Sequence, residues 1–287
     1  MSVAFNPFNG ALNLIPSATS FSSAASPIVV RDEFIGGGST IGDLGWSQYT
    51  PVGSSAALTR TPSSTTQPFN SFLYGIADLQ VTSSTGGNYT VLYTTTTNNG
   101  TLNFNNAGWD ASFVFWLPAP SSMTCAVGFA ASLSQFGYPS TAQGGWTLPN
   151  NSILFVRDST KANNNYLLAG QANNTKFSGD LGVLVGTGGT PSLGYQGGLF
   201  RMRCVTSGTV LASWNNGAEI SVTIPQDTGG FSTNTGNLMQ PVVMVGINGT
   251  QAAPAVASPR NIVIDYFGLS WNNRKIAAVS YTHLTLP

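Results

Sequence analysis

The side chains of this 287-residue chain that could move a proton, attack a carbonyl or hold a metal are few. Glu33 and Glu219 are its only glutamates, and the aspartates, Asp32, Asp43, Asp78, Asp110, Asp158, Asp180, Asp227 and Asp265, are widely scattered. Retaining hydrolysis of a glycosidic bond needs two carboxyl groups about 5 to 5.5 Å apart, which a strand supplies from acids at alternate positions. No Glu-x-Asp-x-x-Glu run exists, and Glu33 adjoins Asp32, so a strand sends that pair to opposite faces. A serine or cysteine nucleophile needs a base, and the single histidine, His283, lies in a closing segment set apart below. Neither Cys125 nor Cys204 has metal-ligand spacing. No metal centre or other cofactor is expected; a Ca²⁺ ion held by oxygens from distant loops stays open and is not predicted. Asp32 and Asp265 are expected to accept hydrogen bonds from loop amides or from an arginine such as Arg31 or Arg260, not to form a catalytic pair. The chain is therefore not expected to be an enzyme.

Binding without catalysis asks for less: aromatic faces to stack on sugar rings, with arginines and amides to fix hydroxyls. Trp146, Trp116, Trp214, Arg157, Arg201 and Arg203 form the candidate ligand-binding set, with Tyr138 and Tyr166 assigned to loops. Core packing competes for each tryptophan. Trp146 stands out because Ala142-Gln-Gly-Gly-Trp-Thr147 is a glycine-rich loop between strands.

These side chains must be held by β-strands. Short Val-, Ile-, Phe- and Thr-rich runs alternate with Gly, Pro, Asn and Ser from Ile28 onward, and no segment sustains a 3.6-residue apolar period. The clearest hairpin spans Val210 to Ile224, where Asn215-Asn216-Gly217 tolerates positive φ. Ile220, Val222 and Ile224 then point inward and Glu219, Ser221 and Thr223 outward. Phe200, Met202 and Cys204 alternate with Arg201 and Arg203, so the arginines project from a sheet. Ser112-Phe-Val-Phe-Trp-Leu117 is apolar at nearly every position, as expected of a central strand covered on both faces. Asn261 to Trp271 reads as a closing strand, with Ile262, Ile264 and Tyr266 on one side and Val263, Asp265, Phe267, Leu269 and Trp271 on the other. Its expected partner is the run from Ile28 to Gly37.

The segments Arg31-Asp-Glu-Phe-Ile-Gly-Gly37, Ile41-Gly-Asp-Leu-Gly-Trp46 and Ile264-Asp-Tyr-Phe267 together resemble the concanavalin A-like jelly-roll domains of tailed-phage structural proteins. The resemblance covers about residues 28–275 and implies an all-β sandwich of two antiparallel sheets. It implies a non-catalytic virion protein, such as a tail-fibre, decoration or appendage component, displaying a carbohydrate- or host-surface-binding sandwich. Its expected partners are other virion proteins, a host-surface glycan and further copies of itself as a homo-oligomer. The alternative is a polysaccharide hydrolase or lyase of the glucanase-like superfamily with an atypical acid pair.

Composition agrees with a neutral, particle-borne surface. Charged residues make up 7% of the chain, against about 25% in an ordinary globular protein. Ten basic residues balance ten acidic ones, so no net field favours nucleic acid or an anionic membrane. No run approaches the roughly 20 apolar residues of a membrane span, and the opening lacks the basic segment of a signal peptide. Synthesis in a host cytoplasm without a leader follows. Residues 1–27 read as an arm or linker able to dock on another virion protein. Cys125 and Cys204 sit within strand-like runs, as buried thiols or a disulfide pair. Residues 276–287 form a tail, and Val279 to Pro287 resembles a translated library-adapter sequence, which removes His283 from any site.

Overall fold

β-Branched and aromatic runs broken every few residues by turn formers build strands and nothing longer, and a computed structural model of the chain contains no helix among its described residues. Those residues are 2–5, 12–15, 28–34, 41–54, 56–59, 75–82, 87–94, 102, 104–105, 107–117, 123–133, 136, 148–157, 165–184, 196–225, 231, 238–247 and 261–271. They form β1 (Ser2–Phe5), β2 (Leu12–Ile15), β3 (Ile28–Asp32), β4 (Ser47–Tyr49), β5 (Ala56–Thr59), β6 (Ala77–Val81), β7 (Tyr89–Tyr93), β8 (Trp109–Leu117), β9 (Met123–Ala130), β10 (Ser152–Arg157), β11 (Asn165–Ala172), β12 (Thr175–Leu184), β13 (Gln196–Thr206), β14 (Thr209–Trp214), β15 (Ile220–Thr223), β16 (Gln240–Ile247) and β17 (Asn261–Trp271).

Two antiparallel sheets stack face to face as a β-sandwich. One runs β12-β11-β10-β9-β16-β7-β4; the other runs β15-β14-β13-β8-β17-β6-β5, with β3 also paired to β17. β1 and β2 pair with each other as a separate two-stranded sheet within the segment expected to be an arm. The expected meeting of the chain's two signature strands is observed, with Asp32 opposite Phe267 and Val30 opposite Leu269. Between the sheets lies an aromatic core in which Phe113, Phe129, Phe155, Phe200 and Phe267 are all buried. On the β12 and β15 side the sheets close tightly. A Cβ on Gly179 would stand 3.0 Å from Ile220 Cδ1 and closer still to Val222, so only glycine fits there.

Asp32 organises the first two signature segments. Its carboxylate is 1% exposed and accepts the Phe34 N–H at 2.7 Å, the Leu44 N–H at 2.8 Å and the Trp46 indole N–H at 2.9 Å. Loop amides thus satisfy it, as expected. Within the run from Ile28 to Gly37, β3 ends at Asp32, because the return of the Phe34 N–H to that carboxylate carries Phe34 to φ 54°. Gly42, at φ 69°, faces the same carboxylate, and a Cβ there would come within 2.7 Å of Asp32 Cγ. Trp46 is fully buried between Phe34 and Phe267, with ring centroids 5.2 and 5.7 Å away.

Both the Asn215-Asn216 turn and its hairpin register are observed, with φ values of 50° and 57° and Val210 opposite Val222. A second turn of the same kind, Asn173-Asn174 at φ 44° and 68°, joins β11 to β12. Asn150 and Asn151 tie it to the β9–β10 end, accepting from the Asn174 and Asn173 N–H groups at 2.8 and 3.3 Å.

Every position of β9, β10 and β16 is buried. Their outward residues, including Ala126, Leu154, Val156, Val242 and Met244, lie under Leu133, Phe136 and Leu148. β8 corrects the expectation of cover on both faces. Trp109, Ala111, Phe113 and Phe115 are buried, whereas Asp110, Ser112, Val114 and Trp116 are half-buried on the opposite, outer face. Its apolar run reflects a core face and a second, half-buried face.

Candidate functional site

The outer face of the eight-stranded sheet gathers residues from β8, β13, β14 and β17. Register sets its rows. Asp110 stands opposite Arg203 and Ser270, Ser112 opposite Arg201 and Gly268, and Val114 opposite Leu199 and Tyr266. Trp116 follows two residues further along β8. The face therefore carries two half-buried aromatic side chains, Trp116 and Tyr266, flanking Val114, with arginines toward its other end.

Tyr266 reaches this face through a β-bulge. Ile264 pairs with Phe115 and Tyr266 with Val114, leaving Asp265 as the additional residue. The sequence reading placed Tyr266 with Ile262 and Ile264, and Phe267, Leu269 and Trp271 on the reverse side. Instead Ile262, Ile264, Phe267, Leu269 and Trp271 all belong to the core, and Tyr266 turns outward. Strict alternation cannot put those five apolar residues in one core. That conflict was the available signal for the bulge, and hence for Tyr266.

Each arginine is held by one carboxylate. Arg201 donates from Nε to both oxygens of Asp110, at 3.0 and 3.1 Å, and from Nη2 to Oδ2. Arg203 donates from Nε and Nη2 to the two oxygens of Glu219, at 2.7 and 2.6 Å. Both forks use the Nε edge, so neither ion pair occupies Nη1. The hydrogen bonds that the guanidiniums donate to Asp110 and to Glu219 raise Arg201 and Arg203 respectively, while the same contact holds the Glu219 carboxyl below the ordinary range. All four partners are partly solvent-exposed, which makes these pairs positioning devices more than sources of stability.

Two of the expected ligand-binding residues belong elsewhere. Trp214, 6% exposed, is packed among Phe115, Phe155 and Tyr166 with centroids 5.3, 5.1 and 5.3 Å away. Arg157, 2% exposed, lies at the inner face opposite Cys125 and Tyr166 in register. Neither can meet a ligand from solvent. Tyr166, expected on a loop, is on β11 in the same core. Burial pushes the Tyr166 phenol up and the Cys125 thiol up to about 12, and the charge of Arg157 opposes both rises. The cysteines are buried free thiols in different sheets. Trp146, Tyr138, Arg260 and residues 276–287 lie outside the described residues. Of the expected set, Trp116, Arg201 and Arg203 therefore share one face.

Of the acids on this face, Asp110 and Glu219 are each engaged by an arginine. Asp32 is buried, with its carboxylate taken up by the Phe34 and Leu44 amides and the Trp46 indole. The half-buried Asp265 instead has its carboxyl raised by burial, with the charge of Glu33 adding to the rise. Among the described residues no group of three or more His, Cys, Asp or Glu side chains gathers as a metal site would.

No protein-family model matches the chain, and no curated protein does. Solved structures similar to it include a glycoside hydrolase family protein from Mycobacterium thermorestibile, with TM-score 0.48 and 11% identity over 84% of this chain and 99% of that one. A laminarinase from Rhodothermus marinus gives TM-score 0.46 and 10% identity over 86% and 99% of the two chains. The carbohydrate recognition domain of Emp47p gives 0.46 and 9% over 86% and 95%.

Proposed function

We propose that this chain is a non-catalytic virion component whose sandwich holds a saccharide on the outer face of its eight-stranded sheet. The observation behind the saccharide half is that Trp116, Tyr266, Arg201 and Arg203 share one sheet face, the aromatics toward one end and the arginines toward the other. Aromatic faces suit the apolar faces of sugar rings, and guanidinium groups fixed by carboxylates offer directed donors to hydroxyls without reorganising. An open sheet face gives shallow contacts, so strength comes from several copies on one particle. The virion half rests on the likeness of the segments around Asp32, Trp46 and Asp265 to phage jelly rolls. It carries with it docking on other virion proteins through residues 1–27, a homo-oligomer, and synthesis in the host cytoplasm.

Support for a non-catalytic role comes from the same ion pairs. A general acid must be protonated at the working pH, and Glu219 is held in the opposite direction by Arg203. The test is adsorption of the protein to isolated host envelopes, with reducing-sugar release followed in parallel. Binding that Trp116→Ala or Arg201→Ala weakens, without sugar release, supports the reading; equal binding by all three proteins sinks it.

One observation favours the hydrolytic alternative. Asp265 is raised by burial and by the charge of Glu33, the direction in which a general acid is shifted. Release of reducing sugar that Asp265→Asn abolishes would establish that alternative.

A further inference from the structure

Tyr266 does not stand up from the sheet. A Cβ built on Gly268 would lie 2.9 Å from Tyr266 Cζ and 3.0 Å from Cε1, with the hydroxyl oxygen closer still. The ring is therefore laid along β17 over the residue two places on, and the absence of a side chain at Gly268 makes the room. Gly268 needs no unusual backbone angle for this, because it is absent from the glycines with positive φ. What it supplies is space. Its neighbours on the flanking strands are Ser112 and Arg31, so the phenol end lies in a row with polar groups on either side.

The charge around this ring is nearly balanced. Arg31, Arg201 and Arg203 stand with Glu33, Asp110, Glu219 and Asp265, three cations with four carboxylates, and two of the cations are already neutralised by bonded partners. Such a surface offers a polyanion no net attraction, because each unmatched acid works against it. A flat phenol face between hydroxyl and guanidinium donors suits a ring whose edges carry hydroxyls and whose face carries C–H groups.

Resting on the saccharide reading above, we infer that Tyr266 is the stacking platform for an uncharged sugar ring and that Gly268 is the positioning residue that keeps the platform flat. Gly268 touches no ligand. Its replacement acts by lifting the tyrosine, so its effect on binding exists only while Tyr266 is present.

The experiment measures binding of cellohexaose, laminarihexaose, maltohexaose and, as an anionic probe, hexagalacturonate to the full chain and to Tyr266→Ala, Gly268→Ala and the double variant. Nitration of Tyr266 by tetranitromethane, read by peptide mass, is followed with and without sugar. At least one uncharged hexamer is expected to bind and to protect Tyr266 from nitration. Tyr266→Ala and Gly268→Ala are each expected to weaken it about tenfold, near 1.4 kcal/mol, and the double variant no further, since the two act as one unit. The double variant also removes the steric conflict and so folds if Tyr266→Ala folds. Unchanged binding by Gly268→Ala beside a loss in Tyr266→Ala would overturn the positioning role alone. Tighter binding of hexagalacturonate than of every uncharged hexamer would overturn the ligand class while leaving the saccharide site. Absence of binding by all four probes would overturn the saccharide reading itself.

Discussion

Replacing Asp32 by alanine should cost more than any other single change at the junction of the two signature segments. The carboxylate accepts three hydrogen bonds, and two of the donors, the Phe34 N–H and the Trp46 indole N–H, are buried. Each buried donor left without an acceptor costs about 1–3 kcal/mol, while the half-buried Leu44 N–H can recover a water. The expected loss is about 4 kcal/mol, which for a domain of this size lowers Tm by roughly 8–16 °C. Asp32→Asn keeps one oxygen and sets an amide N–H₂ against at least one of the donors, so it should fall about midway. Urea unfolding followed by Trp fluorescence and by far-ultraviolet circular dichroism measures both. The fluorescence also reports Trp46, which is fully buried beside the lost acceptor. A loss below about 1 kcal/mol for Asp32→Ala would refute the view that this carboxylate holds the Phe34 turn and the Gly42 turn together. So would equal losses for the alanine and asparagine variants.

Other expectations follow from the same geometry. Asp265 is raised in the folded protein, chiefly by burial. Its folded state is thus favoured below the ordinary aspartate range, and that advantage is lost as pH rises through the raised value. Asp265→Asn should raise Tm near neutral pH and leave it unchanged in acid below that range; a fall near neutrality would contradict the sign. Cys125, pushed up to about 12 by burial, and Cys204, raised by the same cause, should resist a thiol reagent at pH 8 in the native protein and both react in denaturant. Rapid native labelling would show that one is accessible. Asn174 sits at φ 68° in the β11–β12 turn, so Asn174→Val should cost about 1–2 kcal/mol in a urea titration and Asn174→Gly little. Comparable losses in the two variants would mean that the side chain, not the backbone angle, holds the turn.

Much of the sandwich was written locally. Period-two alternation in Phe200 to Cys204 put Arg201 and Arg203 on a solvent face before any partner strand was known. Asn215-Asn216-Gly217 fixed its hairpin because asparagine tolerates the positive φ that such a turn demands. The pairing of Ile28–Asp32 with the closing strand was also legible, since both runs are β-rich and glycines follow the first. These are properties of a residue and its near neighbours, and a strand carries them wherever it lies.

Which face meets solvent is another matter. The run Ser112 to Leu117 is apolar on both sides, and composition could not distinguish a second core face from a face left open. In β9, β10 and β16 the outward residues are covered by Leu133, Phe136 and Leu148, whereas Val114 and Trp116 are half-buried. The difference comes from segments distant in sequence. Trp214 and Arg157 looked as available as Trp116 and Arg201, because a side chain's burial depends on the sheet stacked above it and not on its own type. The bulge at Asp265 did most to set the site. One unpaired residue moved Tyr266 from the side of Ile262 and Ile264 to the outer face and put Phe267, Leu269 and Trp271 on the core side. Alternation determined that β17 would be a strand, while the need to bury five apolar residues in one interior decided where its register breaks.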